Sequence, residues 1–192
     1  MLVAESTYQA LIERAIECSA TAAKIINVSD IVVAQWVRHK CQFGCPHYGN
    51  NFMCPPYAPS PRETVDVLSG YQRAILVKFS DRHIGGQGDG IGQAFVHSKL
   101  YELERRFFLD GHYKAISYTF GRCTLCQKCP AEKLENPSLF DKKNCLNQKM
   151  ARPSMEASGI DVFQTVRNAT WDLGVVQDKS EGFTAFGLVL LE

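Results

Sequence analysis

The chain has 192 residues, of which 45% are hydrophobic and 21% charged, and its formal net charge is +1. This composition is ordinary for a globular protein with a buried core, so bound metal need not supply all of the folding free energy. The basic residues are scattered rather than clustered, which argues against a nucleic acid partner. The longest apolar stretches, such as 74–77 and 186–191, are too short to cross a bilayer, and no signal-peptide pattern opens the chain. We therefore expect a cytoplasmic protein without a membrane segment.

The first part of the chain predicts one helix and two strands. Ser6 begins a capping-box pattern, and apolar residues follow at helical spacing. Residues 23–26 and 31–37 are rich in β-branched side chains and predict two strands, possible partners in a hairpin. The second predicted strand leads directly into Cys41.

Two cysteine-rich loops flank a predicted strand–helix–strand unit. The first, at about 41–61, contains glycines and the run Cys54-Pro55-Pro56, which indicates neither a helix nor a central strand. A loop of this length needs an internal organiser, for which bound metal is the natural candidate. The other predicted elements are a helix from Ser60 to about Gly70, a strand at 73–79, a glycine-rich loop at 85–92, a helix at about 92–110, a strand at 114–120, a second cysteine loop at about 121–158, a helix from Asp161 to about Leu173, and a strand at 183–191.

These elements predict an α+β fold of the α/β type, with one mixed sheet of about four to six strands and helices packed on it. We expect a single domain, 1–192, that carries both cysteine loops.

The second cysteine group predicts a metal cluster. Cys123, Cys126 and Cys129 form the C-x2-C-x2-C stem that bacterial ferredoxins use for [4Fe-4S] clusters. Structural zinc is the alternative, although zinc sites usually pair two C-x2-C knuckles around one tetrahedral ion. Cys145, separated from Cys129 by fifteen residues, is the natural fourth ligand; the alternatives for it are a buried thiol or a ligand of the other cluster.

The first group, Cys41, Cys45 and Cys54, is one ligand short of a complete set. Cys18 and His47 are candidates for the fourth ligand, with a buried core thiol and an ordinary loop histidine as the alternatives. If neither binds, one iron stays open and acts as a Lewis acid that binds substrate. In a reducing cytosol, these cysteines indicate metal ligands rather than disulfides.

Arg152 lies seven residues beyond Cys145 and has two interpretations. It pairs locally, or it belongs to the cofactor-binding site and donates hydrogen bonds to cluster sulfide, which raises the reduction potential.

Several longer motifs accompany the cysteines. They are Trp36-Val37-Arg38-His39-Lys40-Cys41, Tyr48-Gly49, Cys54-Pro55-Pro56-Tyr57, the Cys123 stem, Ala151-Arg152-Pro153-Ser154-Met155-Glu156-Ala157 and Gly159-Ile160-Asp161-Val162. Together they resemble the domain-of-unknown-function 2284 family, predicted metal-binding proteins of anaerobic bacteria and archaea. The resemblance covers nearly the whole chain. It implies metal binding by the cysteines and carries no reaction.

The sequence therefore predicts an iron–sulfur protein that holds two [4Fe-4S] clusters and passes electrons to a partner enzyme in anaerobic metabolism. One alternative is an enzyme with an open iron at the Cys41 group. The other is a binding module stabilised by zinc.

Overall fold

The computed structural model describes residues 2–80, 91–177 and 184–192, which form five helices and four strands. The helices are α1 (Leu2–Glu17), α2 (Gln35–Gly44), α3 (Pro61–Leu68), α4 (Ile91–Leu109) and α5 (Val162–Asn168). The strands are β1 (Ala22–Asn27), β2 (Arg73–Ser80), β3 (Ile116–Tyr118) and β4 (Thr184–Leu190). Over these ranges, no helix combines the length and apolar character that a bilayer crossing requires.

The strands form one sheet in the order β1-β2-β4-β3, and each neighbouring pair is antiparallel. Leu76 of β2 and Tyr118 of β3 both lie opposite Leu188 of β4, so β4 is central. Beyond β3, an isolated parallel bridge joins Thr119 to Ser154. The predicted α+β class, with helices packed on a sheet of four to six strands, is confirmed.

Both faces of the sheet are buried, since successive side chains of a strand point to opposite sides. Ile75 and Val77 of β2 pack in a core with α1 and α4. Leu76, between them in sequence, packs in a second core with α3, α5 and the segment 155–160. Burial of this apolar surface on two sides supplies a core independent of any metal.

Helices α3 and α5 begin where the sequence predicts. Ser60 Oγ accepts the N–H of Glu63 at 3.3 Å, and the Glu63 carboxylate accepts the N–H of Ser60 at 2.7 Å. Asp161 Oδ1 accepts the N–H of Gln164 at 3.0 Å. These caps satisfy N–H groups that have no partner inside the helix.

The strand predicted at 31–37 is wrong. Only Val33 forms a bridge, with Ile160, and α2 begins at Gln35 and carries Cys41. The β-branched run ends at Val33, and the extended segment pairs with a distant part of the chain, which a local pattern does not reveal. The predicted loop at about 41–61 is wrong at its start, because α2 continues through Cys41 to Gly44.

Three other boundaries differ. Helix α1 begins at Leu2 rather than Ser6, and α5 ends at Asn168, because Thr170 adopts a left-handed conformation with φ of 60°. Strand β3 is shorter than predicted. The predicted glycine-rich loop lies mostly within 81–90, outside the described residues.

Candidate metal centre

The seven clustered cysteines line two separate cavities. We call them the three-cysteine cavity, lined by Cys41, Cys45 and Cys54, and the four-cysteine cavity, lined by Cys123, Cys126, Cys129 and Cys145. The grouping in space follows the grouping in sequence. Their role as metal ligands stays a prediction.

Arg38 fixes helix α2, and with it Cys41, against the rest of the first site. Its Nη1 atom donates to the carbonyl oxygens of Ala157 at 2.6 Å and Pro59 at 3.1 Å, and its Nη2 atom to that of Ala58 at 3.3 Å. This one side chain thus joins α2 to two other segments, the one that follows Cys54 and the one that follows Glu156. Hydrogen bonds to a charged donor are among the stronger ones in proteins.

The four-cysteine cavity is fixed at the end of β3. The Thr119 N–H donates to Pro153 O, and the Met155 N–H donates to Thr119 O, both at 2.9 Å. The loop that carries the four cysteines therefore leaves and returns at one edge of the sheet.

The segment 51–54 forms the wall between the two cavities. Asn51, Phe52 and Met53 line the four-cysteine cavity, whereas Cys54 lines the three-cysteine cavity. Asn51 Nδ2 donates to Cys123 O at 2.8 Å. Since Met53 and Cys54 are consecutive, a single peptide unit separates residues that face different cavities.

A small third core stabilises this wall. Phe52 is buried and packs with Ala131, Cys145 and Ala151, with contributions from Tyr57 and Phe140. The two cysteine loops are thus packed against each other.

Two of the clustered thiols, Cys54 and Cys123, resist ionisation. Burial and then the charges of neighbouring cysteines raise the pKa of Cys54 to about 12, and burial is the main cause that raises the pKa of Cys123 to about 11. Because metal binds thiolates, loading these sites releases protons, and the cationic charge must compensate the buried anions. The donors therefore match a thiophilic metal.

Two sulfurs of the four-cysteine cavity accept hydrogen bonds. Asn147 Nδ2 donates to Cys126 Sγ at 3.0 Å, and the Phe52 N–H donates to Cys129 Sγ at 3.4 Å. Donors of this kind favour the thiolate, and the Asn147 bond lowers the pKa of Cys126 against the larger effect of burial.

The cavities differ in size. The three-cysteine cavity has a volume of about 330 Å³. The four-cysteine cavity has a volume of about 10 Å³, close to that of one water molecule, so its thiols must move apart to admit a multi-iron cluster.

The other sequence candidates lie in different places. Cys18 is buried between α1 and α4 and lines neither cavity, so its position is that of a core thiol. His47 lines the three-cysteine cavity. Arg152 donates to both carboxylate oxygens of Glu104, at 2.6 and 3.0 Å, and lines neither cavity. Its carboxylate partner is thus on α4, 48 residues away in the sequence.

The polar lining of the three-cysteine cavity includes Gln93, Arg122 and Glu156, which were missed as site residues. Glu156 accepts the N–H of Gly121 at 3.3 Å, and burial raises its pKa. Gly121 has φ of 59°, and a Cβ there would lie 2.9 Å from Gln93 Nε2. Two sequence signals pointed to them: Arg122 directly precedes Cys123, and Glu156 belongs to the motif Ala151–Ala157.

A family model described as predicted metal-binding protein (DUF2284) matches residues 24–191. No curated protein and no solved structure matches the chain. Because the family match spans most of the sequence and includes all seven clustered cysteines, the chain belongs to the DUF2284 family of predicted metal-binding proteins.

Proposed function

We propose that the protein is a cytoplasmic iron–sulfur protein with two adjacent [4Fe-4S] centres, which passes electrons to a partner enzyme in anaerobic metabolism. The observation that carries this proposal is the shared wall. Within this wall, Met53 lines the four-cysteine cavity, and the next residue, Cys54, lines the three-cysteine cavity. Two redox centres so close in the chain form a short path for electrons.

The ligand arrangement favours a cluster over a single zinc ion. Zinc sites usually pair two C-x2-C knuckles around one tetrahedral ion, whereas each cysteine of a cubane binds a different iron. The C-x2-C-x2-C spacing agrees with the cluster.

In this proposal the cysteines are the ligands, and Asn147 and the Phe52 N–H tune the four-cysteine centre through their hydrogen bonds to sulfur. A cluster, when bound, supplies one-electron chemistry. The protein determines its potential through these donors, through burial and through the local charges.

The test is purification without oxygen, followed by iron and acid-labile sulfide analysis. Two four-iron centres give about eight of each per chain, and visible absorbance that dithionite bleaches. About four of each would mean that one cysteine set is empty, which contradicts the two-centre proposal. A colourless protein that contains zinc and no sulfide would overturn it in favour of the zinc-stabilised module.

A second candidate function is an enzyme that binds substrate at an open iron of the first centre. The size of the three-cysteine cavity and its polar wall favour this candidate. The variant His47→Ala distinguishes a centre in which His47 is the fourth ligand from a centre in which one iron is open. Unchanged iron content and spectrum in the variant would show that His47 is not a ligand, and the same result for Glu156→Gln would leave the fourth position open.

A further inference from the structure

A large aromatic cavity adjoins the three-cysteine cavity. Its volume is about 1240 Å³, and it shares Cys41, Cys45 and Glu156 with the three-cysteine cavity. Helix α2 supplies one wall and the segment 160–163 another. The aromatic residues that line it are Trp36, Phe43, Phe120, Phe163 and Phe186. Such a cavity is large enough for a small organic molecule and suits one with an apolar, planar body.

The charges around the two cavities favour an anion. Arg122 is half-buried in the wall of the three-cysteine cavity and forms no ion pair with another described residue. Lys40, in the wall of the aromatic cavity, has its ammonium 5.1 Å from the Trp36 ring and likewise no carboxylate partner within the described ranges. A guanidinium in a partly desolvated wall matches the geometry of a carboxylate.

The acidic residues of these walls are mostly engaged in structural hydrogen bonds. Glu156 accepts the N–H of Gly121, and Asp161 caps α5 through the N–H of Gln164. Asp172 is exposed at the rim of the aromatic cavity. The two basic groups are therefore the ones available to a ligand.

We propose that the two cavities together bind a small aromatic carboxylate, with its carboxylate at Arg122 beside the three-cysteine centre and its ring in the aromatic cavity. The part of this inference that concerns the metal rests on the proposed function, because it makes the three-cysteine centre the place where substrate meets iron. The binding itself depends only on the residues of the two walls.

Isothermal titration calorimetry with 2-naphthoate tests the binding, with uncharged 2-naphthamide as the matched ligand. The protein is purified without oxygen, and its iron and sulfide contents are measured on the same sample. We expect 2-naphthoate to bind at least about tenfold more tightly than 2-naphthamide, because only the carboxylate forms a charge-assisted bond. Equal affinities, or no binding of either compound, would overturn the proposal without any variant being made.

Two pairs of variants locate the site. Arg122→Gln removes the preference for the carboxylate, whereas Arg105→Gln, at an exposed arginine of α4, leaves it unchanged. Phe163→Ala weakens the binding of both compounds by a similar factor. Phe108→Ala, at an exposed phenylalanine, leaves the binding of both unchanged. A preference that persists in Arg122→Gln would place the carboxylate elsewhere.

A spectroscopic measurement connects the ligand to the metal. Addition of 2-naphthoate to the reduced protein should change the electron paramagnetic resonance spectrum of one centre. Calorimetric binding with an unchanged spectrum would overturn the placement beside the centre. If the protein purified without oxygen contains no iron and still binds 2-naphthoate more tightly than 2-naphthamide, the proposed function is contradicted, whereas the proposed binding site is supported.

Discussion

Among individual residues, Asn147 makes the most specific contact with a candidate ligand. Its amide donates to Cys126 Sγ at 3.0 Å and to Leu125 O at 3.3 Å. A hydrogen bond to a ligating sulfur stabilises the more negative, reduced state of a cluster more than the oxidised state.

We therefore expect Asn147→Ala to lower the reduction potential of the four-cysteine centre by about 30–60 mV, with the iron content unchanged. A potentiometric titration followed by electron paramagnetic resonance measures this shift. Asn136→Ala is the control, since the Asn136 side chain accepts the N–H of Ser138 in the same loop. Equal potentials in the two variants would show that the Asn147 bond does not tune the centre.

His97 is a buried histidine on α4, with 1% of its surface exposed. Its Nε2 atom lies 2.9 Å from Arg152 O and 3.2 Å from Thr119 Oγ1. Burial lowers its pKa from 6.5 to about 4. Between these values the unfolded chain binds a proton that the folded chain does not, so the free energy of unfolding falls as the pH falls.

The expected loss from this one group is about 2 kcal/mol between pH of about 7 and about 5. Urea unfolding of the wild type and of His97→Gln, in the same metal state, measures it. The variant should be less stable at neutral pH and lose less stability on acidification. Parallel pH dependence in both proteins would contradict the assignment to His97.

At the scale of elements, β4 and α4 pack closely against each other at Gly187. A Cβ at Gly187 would lie 2.7 Å from Leu100 Cδ2 and would also contact Leu100 Cδ1. Leu100 is fully buried, so it has no free space into which to move.

We expect Gly187→Ala to destabilise the fold by about 1–3 kcal/mol, because overpacking forces side chains from their preferred rotamers. Urea unfolding gives the value. Gly174→Ala is the matched control, since a Cβ there meets nothing within 4 Å and its effect should be small. A Gly187→Ala variant as stable as this control would show that α4 shifts at little energetic cost.

The elements with local signals were predictable. The caps at Ser60 and Asp161 identified α3 and α5, because a cap involves residues only three positions apart. Helix α2 was missed, because Arg38 and the Val33–Ile160 bridge hold it against residues more than a hundred positions away. The cysteine spacing separated the two groups, but the wall formed by 51–54 depends on contacts between the loops that no spacing encodes.

At the scale of the whole molecule, the two cysteine sets should bind metal separately. Cys41→Ala and Cys126→Ala should each remove about half of the iron and sulfide, since each residue lines a different cavity. Cys18→Ala is the control and should keep all of it, because Cys18 belongs to the core between α1 and α4. Iron and sulfide analysis of the three variants, purified together without oxygen, provides the comparison. Complete loss of iron in either ligand variant would show that the sites form only as a pair.

The wall formed by residues 51–54 also has an electrostatic consequence. The pKa of Cys54 is raised partly by Cys123 and Cys129 of the opposite cavity, so charge on one side of the wall acts on the other. If both cysteine sets hold the proposed redox centres, an electron added at one centre would make the reduction of the second less favourable. Two centres of similar chemistry would then accept electrons one at a time, at separated potentials, and the protein would deliver single electrons rather than pairs.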